Sequence, residues 1–343
     1  MKKLLSAIIV LASCAAAVSF GPWAGGARQS GSKQSGARPE SKARAGSKAQ
    51  AESKTVDAER LLEDVRLLSA DAMEGRGTGT QGGAMARAFV VRRFAELGLK
   101  AFGDSFEKPF RVAGGRRGGR PGAEVSGVNV VGYVQGRAHP ERYIVVTAHY
   151  DHLGVRGGQV YNGADDNASG VAALLQLAAH FSRERPDNSL IFAALDAEEI
   201  GLLGARSLVA WLREQKLDAA LDVNMDMVSH SERGELYAAG IYPTPALAGP
   251  LKEVAARSRV RLLLGHDRPE QGHDDWTNQS DQFAFKEAGV PFVYFGVEDH
   301  EDYHKPSDDF DTLTRDFFVG AAETVLEAVR ALDADLDAAK AKR

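Results

Sequence analysis

Arg142-Tyr143-Ile144-Val145-Val146-Thr147-Ala148 runs straight into His149-Tyr150-Asp151-His152. An apolar, β-branched run without alternation is the pattern of a strand buried on both faces, as parallel strands are in an α/β domain. Polar residues begin where the run stops, so the strand carries two histidines and an aspartate at its carboxyl end. Further Val/Ile-rich runs of this kind occupy residues 128–134, 189–195, 221–225 and 291–295. Between and after them lie helical patterns at 169–183, 200–213, 247–258 and 280–288, with a last amphipathic helix over 316–332. Upstream, Leu61, Leu62, Val65 and Leu68 form a helical stripe, and residues 84–97 read as a second helix closed by Gly98. The alternation predicts a mixed α/β domain with a largely parallel, twisted sheet flanked by helices. No internal repeat interrupts it. Gly75-Arg76-Gly77-Thr78-Gly79-Thr80 follows a helix rather than a strand, so it reads as a turn and not as a dinucleotide fingerprint. Gly114 to Gly122, with three arginines, reads as a flexible loop.

In open α/β sheets, ligands bind outside the carboxyl ends of the strands. Here one strand end delivers His149-Tyr150-Asp151-His152, and the loop after it holds Asp165 and Asp166. Further ends deliver Asp196-Ala197-Glu198-Glu199, then Asp226, then the stretch from Glu298 to His304. Carboxylates massed at one place repel each other unless cations neutralise them. Carboxylates with imidazoles and no thiol suit zinc or another first-row divalent ion. The residues alone therefore indicate a hydrolytic site with one or two metals. There is no Gly-x-Ser-x-Gly elbow and no thiol nucleophile, which leaves acyl-enzyme chemistry without a candidate.

The motifs His149-x-Asp151, Gly163-x-Asp165-Asp166-Asn167-x-Ser169-Gly170, Glu198-Glu199 before Ile200-Gly201, Asn224-Met225-Asp226-Met227 and Tyr303-His304 resemble the di-zinc aminopeptidases of clan MH. The resemblance runs from about Arg60 to about Leu332, with all five metal-ligand positions filled. It implies a zinc-exopeptidase, phosphorylase/hydrolase-like fold with two zinc ions. His149 and Asp226 would hold one ion, Glu199 and His304 the other, and Asp166 would bridge them. Glu198 would be the general base and Tyr303 a hydrogen-bond donor to the developing oxyanion. Asp151 would orient the His149 imidazole from behind. The resemblance also implies a cis peptide between Asp166 and Asn167.

Several side chains have competing readings. His152 and His300 compete as ligands by residue type, but neither occupies a family ligand position, so both are left out of the ligand set; Asp165 is the alternative to Asp166 as the bridge. Ser280 and Asp281 read as a helix cap. Asp308 and Asp309 either orient His304 or initiate the next turn. The implied activity is removal of N-terminal residues from peptide substrates. Carboxypeptidase or dipeptidase action is compatible with the same metal core. A glutaminyl cyclase on a related fold, using one zinc, and a metal-free binding module are the other readings; the complete ligand set weighs against both.

The rest of the chain bounds the context. One cysteine in 343 residues excludes a disulfide framework, and a net charge of −5 speaks against a nucleic-acid partner. Met1-Lys2-Lys3 precedes an apolar run at residues 4–12, the length of a signal-peptide core and too short to span a membrane. It ends in Leu11-Ala12-Ser13-Cys14, which resembles a bacterial lipoprotein box, so residues 1–13 read as a signal peptide and Cys14 as the lipidated residue. Residues 14–54 read as a disordered Gly/Ser/Lys/Arg tether with an r.m.s. span of roughly 35 Å. They hold seven Lys/Arg against two Glu, whereas residues 55–343 hold 33 Lys/Arg against 45 Asp/Glu. The catalytic domain, residues 55–343, is thus distinctly acidic. Its short segment from Arg111 to Ser126 leaves no room for an inserted protease-associated domain. The expectation is an exported protein anchored by lipid to the cell envelope, in an outer membrane where the cell has one, with the oligomeric state open.

Overall fold

A computed structural model describes residues 55–117 and 120–337. The signal peptide, Cys14 and the tether lie outside the described residues. The chain opens with helix α1 (Ala58–Leu68), capped by the Asp57 carboxylate, and α2 (Gln81–Glu96), capped by the Thr80 hydroxyl. Gly98 follows α2 with φ +71°, as a helix-terminating glycine should. Strands β1 (Lys100–Ala101), β2 (Glu107–Arg117), β3 (Arg120–Val134) and β4 (His139–His149) follow, then a small hairpin of β5 (Gly154–Arg156) and β6 (Gln159–Tyr161). The remainder alternates: α3 (Gly170–Arg183), β7 (Asn188–Leu195), α4 (Leu203–Glu214), β8 (Asp218–Met225), β9 (Glu235–Ala239), α5 (Ala248–Ala255), β10 (Arg261–Leu264), α6 (Gln282–Glu287), β11 (Phe292–Gly296) and α7 (Arg315–Ala334).

Nine of the strands form one mixed sheet in the order β1-β3-β7-β4-β8-β11-β9-β10, with β2 paired to β3. The central strands β7, β4, β8 and β11 are mutually parallel, and β3 and β9 flank them antiparallel. Side-chain alternation sorts these strands onto two cores. Ile144, Val146, Ala148, Leu190, Phe192 and Ala194 face one core, shared with α1, α2, α3 and α7. Val145, Ile191, Ala193 and Leu195 face the other, against Leu208 and Leu212 of α4 and Phe285 of α6. Because both faces are covered, all eight residues of β7 are buried, which is why these strands read as unbroken apolar runs.

Two readings of the sequence need correction. The segment from Gly114 to Gly122 is not a free loop: β2 and β3 stay paired antiparallel out to Arg117 and Arg120. A hairpin supplies pairing that glycine and arginine propensities do not advertise. Ser280 and Asp281 do not cap a helix. Asp281 is fully buried and its carboxylate makes no capping hydrogen bond, while the Ser280 hydroxyl accepts from Asn224 Nδ2 on β8.

Candidate metal centre

The parallel strands end together, so their C-terminal residues converge. β4 ends on His149, 1% exposed, whose Nε2 lies 3.2 Å from Asp226 Oδ1 and 3.4 Å from Asp166 Oδ1. Asp226 follows the last residue of β8. Asp166 lies in the wide turn before α3, and the Asp166–Asn167 peptide is cis. On the other side of Asp166, its Oδ2 lies 3.1 Å from His304 Nε2, and Glu199 Oε2 lies 3.5 Å from the same nitrogen. The carboxylate of Asp166 therefore stands between two histidines, each with a second carboxylate beside it. Tyr303 stacks on His304 with ring centroids 4.0 Å apart.

The surroundings set the orientation of these donors. His149 Nδ1 lies 3.1 Å from the Asp151 carbonyl, which directs Nε2 and its lone pair at the carboxylates. The Asp151 carboxylate is 3.7 Å from that ring; it instead accepts from the backbone N–H groups of Glu198 and Glu199 and from the Thr78 hydroxyl. Asp151 so ties the β4 end to the turn after β7, where Ala197 takes φ +62°. Asp165 points away from Asp166. Its carboxylate accepts from Ser229 N, Ser229 Oγ and Ser169 Oγ on one oxygen and pairs with His300 Nε2 at 3.1 Å on the other. His300 is thereby engaged, and its ring stacks on His230 at 3.9 Å, 5° from parallel. Asp308 accepts from the N–H groups of Asp165 and Asp166, so it positions the bridging turn rather than His304; Asp309 caps the short turn that follows.

Charge decides what this cluster can hold. Burial pushes the carboxyls of Glu198 and Glu199 up, with His149 opposing, and raises Asp151 to about 8. Burial alone would lower His149, yet Asp226 and Glu198 hold it well above its ordinary value. His304 is likewise drawn up, its burial outweighed by Asp166 and Glu199. His152 is pushed down to about 3 by burial and stays neutral. The donors thus carry more negative charge than the nearby protein cations neutralise, and Glu199 Oε1 has no hydrogen-bond partner. Imidazole nitrogens and carboxylate oxygens gather in two groups sharing Asp166, one of His149, Asp166 and Asp226 and one of His152, Asp166 and Glu199 with His304 against it, and they fit a pair of divalent cations of the zinc type.

One residue in contact with this site was invisible in the sequence. Arg76, read there as part of a turn, is fully buried and donates to five carbonyls: Leu68, Tyr150, Asn162, Gly163 and Asp166. Its charge lies under the carboxylates, and burial draws its pKa down to about 10. The turn it braces is tight: Gly163 has φ +56°, and a Cβ there would overlap the Asp166 carbonyl and the His152 ring. Gly75 beside it marks a close backbone approach, since a Cβ there would overlap the carbonyls of Tyr161 and Gly154, but it does not point to the partners of Arg76.

Comparison with known proteins agrees with this geometry. Residues 129–329 match Peptidase family M28, more than half of the chain. Aminopeptidase YwaD of Bacillus subtilis (strain 168) is 32% identical over 203 residues, covering 56% of this chain and 41% of that protein. The chain spans less than half the length of the first curated relatives it matches. Among solved structures, BSAP, a zinc aminopeptidase from Bacillus subtilis, superposes with a TM-score of 0.64 at 19% identity over 80% of this chain and 95% of that one. A glutaminyl cyclase from Fimbriiglobus ruber superposes with a TM-score of 0.61 at 18% identity, over 80% of this chain and 95% of that one. At such identities the likeness is one of fold.

Proposed function

The chain belongs to peptidase family M28, and on that footing we propose that it is a two-zinc exopeptidase removing N-terminal residues from peptides. The observation that carries the reading is the Asp166 carboxylate, with Oδ1 3.4 Å from His149 Nε2 and Oδ2 3.1 Å from His304 Nε2. Asp226 and Glu199 complete a donor group on either side. A cyclase with one zinc has no use for both groups, which favours the peptidase.

Bound there, a pair of divalent ions supplies Lewis acidity and lowers the pKa of a water towards neutrality. The Glu198 carboxylate takes a proton from the attacking water and returns it to the leaving amine. Its burial strengthens it as a base. The Tyr303 hydroxyl donates to the developing oxyanion, and its stacking on His304 restricts the ring. His149 is kept in the productive tautomer by the Asp151 carbonyl. A screen of amino-acid p-nitroanilides beside C-terminally varied peptides tests the activity, with metal analysis in parallel. N-terminal release that a chelator abolishes and zinc restores is expected. Pyroglutamate formation from Gln-initial peptides, with one metal at full activity, would overturn the reading in favour of a cyclase.

We further propose that the enzyme lies outside the cytoplasm, lipid-anchored through Cys14. This placement is supported by the apolar run at residues 4–12 ending in Leu11-Ala12-Ser13-Cys14. Cys14→Ser should leave the membrane fraction with turnover unchanged. A fully soluble wild-type protein after export would refute the anchor.

A further inference from the structure

The group on the Glu199 side of Asp166 holds one donor more than the family pattern requires. His152 is 2% exposed and neither of its ring nitrogens makes a hydrogen bond. Its Nδ1 nevertheless lies 2.7 Å from Glu199 Oε1 and 3.6 Å from Asp166 Oδ2. Glu199 Oε1 is unpartnered too, so the 2.7 Å approach is a contact without hydrogen-bond direction. Two unpartnered polar atoms buried against each other destabilise a fold unless a third body satisfies both. His304 closes the arrangement from the opposite side, 3.1 Å from Asp166 Oδ2 and 3.5 Å from Glu199 Oε2, with its ring 5.9 Å from that of His152 and tilted by 56°. Donor atoms around one tetrahedral zinc, each about 2.0–2.1 Å from the ion, stand roughly 3.3 Å apart. The separations to Asp166 Oδ2, 3.6 Å from His152 and 3.1 Å from His304, bracket that spacing, and Glu199 offers Oε1 to the first ring and Oε2 to the second.

We infer that His152 is a fourth protein ligand, through Nδ1, of the ion held by Asp166, Glu199 and His304. This rests on the two-metal reading above and adds an asymmetry to it. The His152 side is a closed position with four protein donors. The His149–Asp226 side, with Asp166, has three and keeps the open coordination that catalytic zinc sites retain. His152 Nε2 has no acceptor among the described protein groups, unlike the supported nitrogen of His149. The competing assignment makes His152 a donor to Glu199, and the two differ in what the metal sees.

The test is spectroscopic and uses the full chain. Zinc-edge X-ray absorption of the wild-type protein loaded with zinc should show scattering from three imidazoles over two ions. Two imidazoles over two bound ions would overturn the assignment and leave the two-metal site standing. Fewer than two ions per chain at saturation would overturn the two-metal reading and this inference together. Cobalt titration of the metal-free protein, wild type against His152→Asn, gives a second readout. Asparagine can still donate a hydrogen bond near the Nδ1 position but supplies no imidazole. One of the two cobalt sites should weaken by at least about a hundredfold, the upper end of what losing an outer partner does, and lose its four-coordinate visible bands. An unchanged titration and spectrum would refute ligation. If the variant does not fold, the absorption measurement on the wild type decides by itself.

Discussion

Replacing Arg76 with methionine keeps an unbranched side chain out to about the Nε position and removes five donated hydrogen bonds. They run from Nε to the Tyr150 carbonyl, from Nη1 to Leu68 and Asn162, and from Nη2 to Gly163 and Asp166, at 2.5–3.3 Å. Hydrogen bonds from a charged group contribute about 1.5–3 kcal/mol each, so a plain sum is roughly 7–15 kcal/mol. The variant also relieves the desolvation of a fully buried guanidinium, an effect of several kcal/mol in the opposite direction. A net loss of about 3–6 kcal/mol remains, a large part of the roughly 5–15 kcal/mol that stabilises a typical domain. With an m-value of roughly 3 kcal/mol per M, the urea midpoint should fall by about 1–2 M. Circular dichroism in the presence of a chelator measures this without contribution from bound metal. Arg76→Lys keeps a cation but not the planar fork, and should recover less than half of the loss. Since three of the five carbonyls belong to the turn that carries Asp166, zinc affinity should fall in both variants. A methionine variant within about 1 kcal/mol of wild type, with both zinc ions held normally, would refute the bracing role.

Glu198→Gln should retain both metals while kcat falls by about 10² to 10⁴ with little rescue by zinc, whereas Glu199→Gln should lose zinc affinity and be partly rescued by excess metal; the roles are reversed if the two outcomes exchange. Asp222 is fully buried, and burial holds its carboxyl well above 3.8 despite the Thr147 hydroxyl beside it. Folding therefore takes up a proton, and this group makes stability fall as pH rises past the ordinary carboxylate range. Asp222→Asn should raise the urea midpoint at pH 7 and leave it unchanged near pH 4; an equal shift at both would contradict a protonated Asp222. Asp333 of α7 accepts from the backbone N–H groups of Asp187 and Asn188 at 2.7 and 2.8 Å, pinning the helix to the start of β7. Asp333→Ala should destabilise by about 2–4 kcal/mol in chemical denaturation with metal stoichiometry unaltered, and loss of metal would show that the two ends of the sheet are coupled.

What the sequence discloses and what it withholds divide along the reach of the interactions. A strand segment buried on both faces is largely apolar, so the buried parts of β4, β7, β8 and β11 are readable from their own residues, and the polar residues after them mark the edge where ligands gather. β9 and β10 each open on a charged residue and hold no β-branched side chain, so composition does not mark them, and they become strands only because β11 offers β9 an edge and β9 offers one to β10. Arg76 is hidden for another reason. Four of its five partners are carbonyls 74 to 90 residues away, and every residue carries a carbonyl, so no pattern of residue types records the contact. Asp281 shows the same limit from the other side: Ser-Asp before a helix is what a cap looks like, and only the arrival of Asn224 from β8 makes Ser280 a partner of the strand instead. The metal donors are an intermediate case. Their types and their order announce a metal, because imidazole and carboxylate at successive strand ends have few other uses. The number of donors facing each ion is not in that order. β4 ends at His149, and beyond a strand end the alternation that assigns side chains to faces no longer applies. Three residues on, the backbone alone determines that His152 turns towards Glu199 and not to solvent.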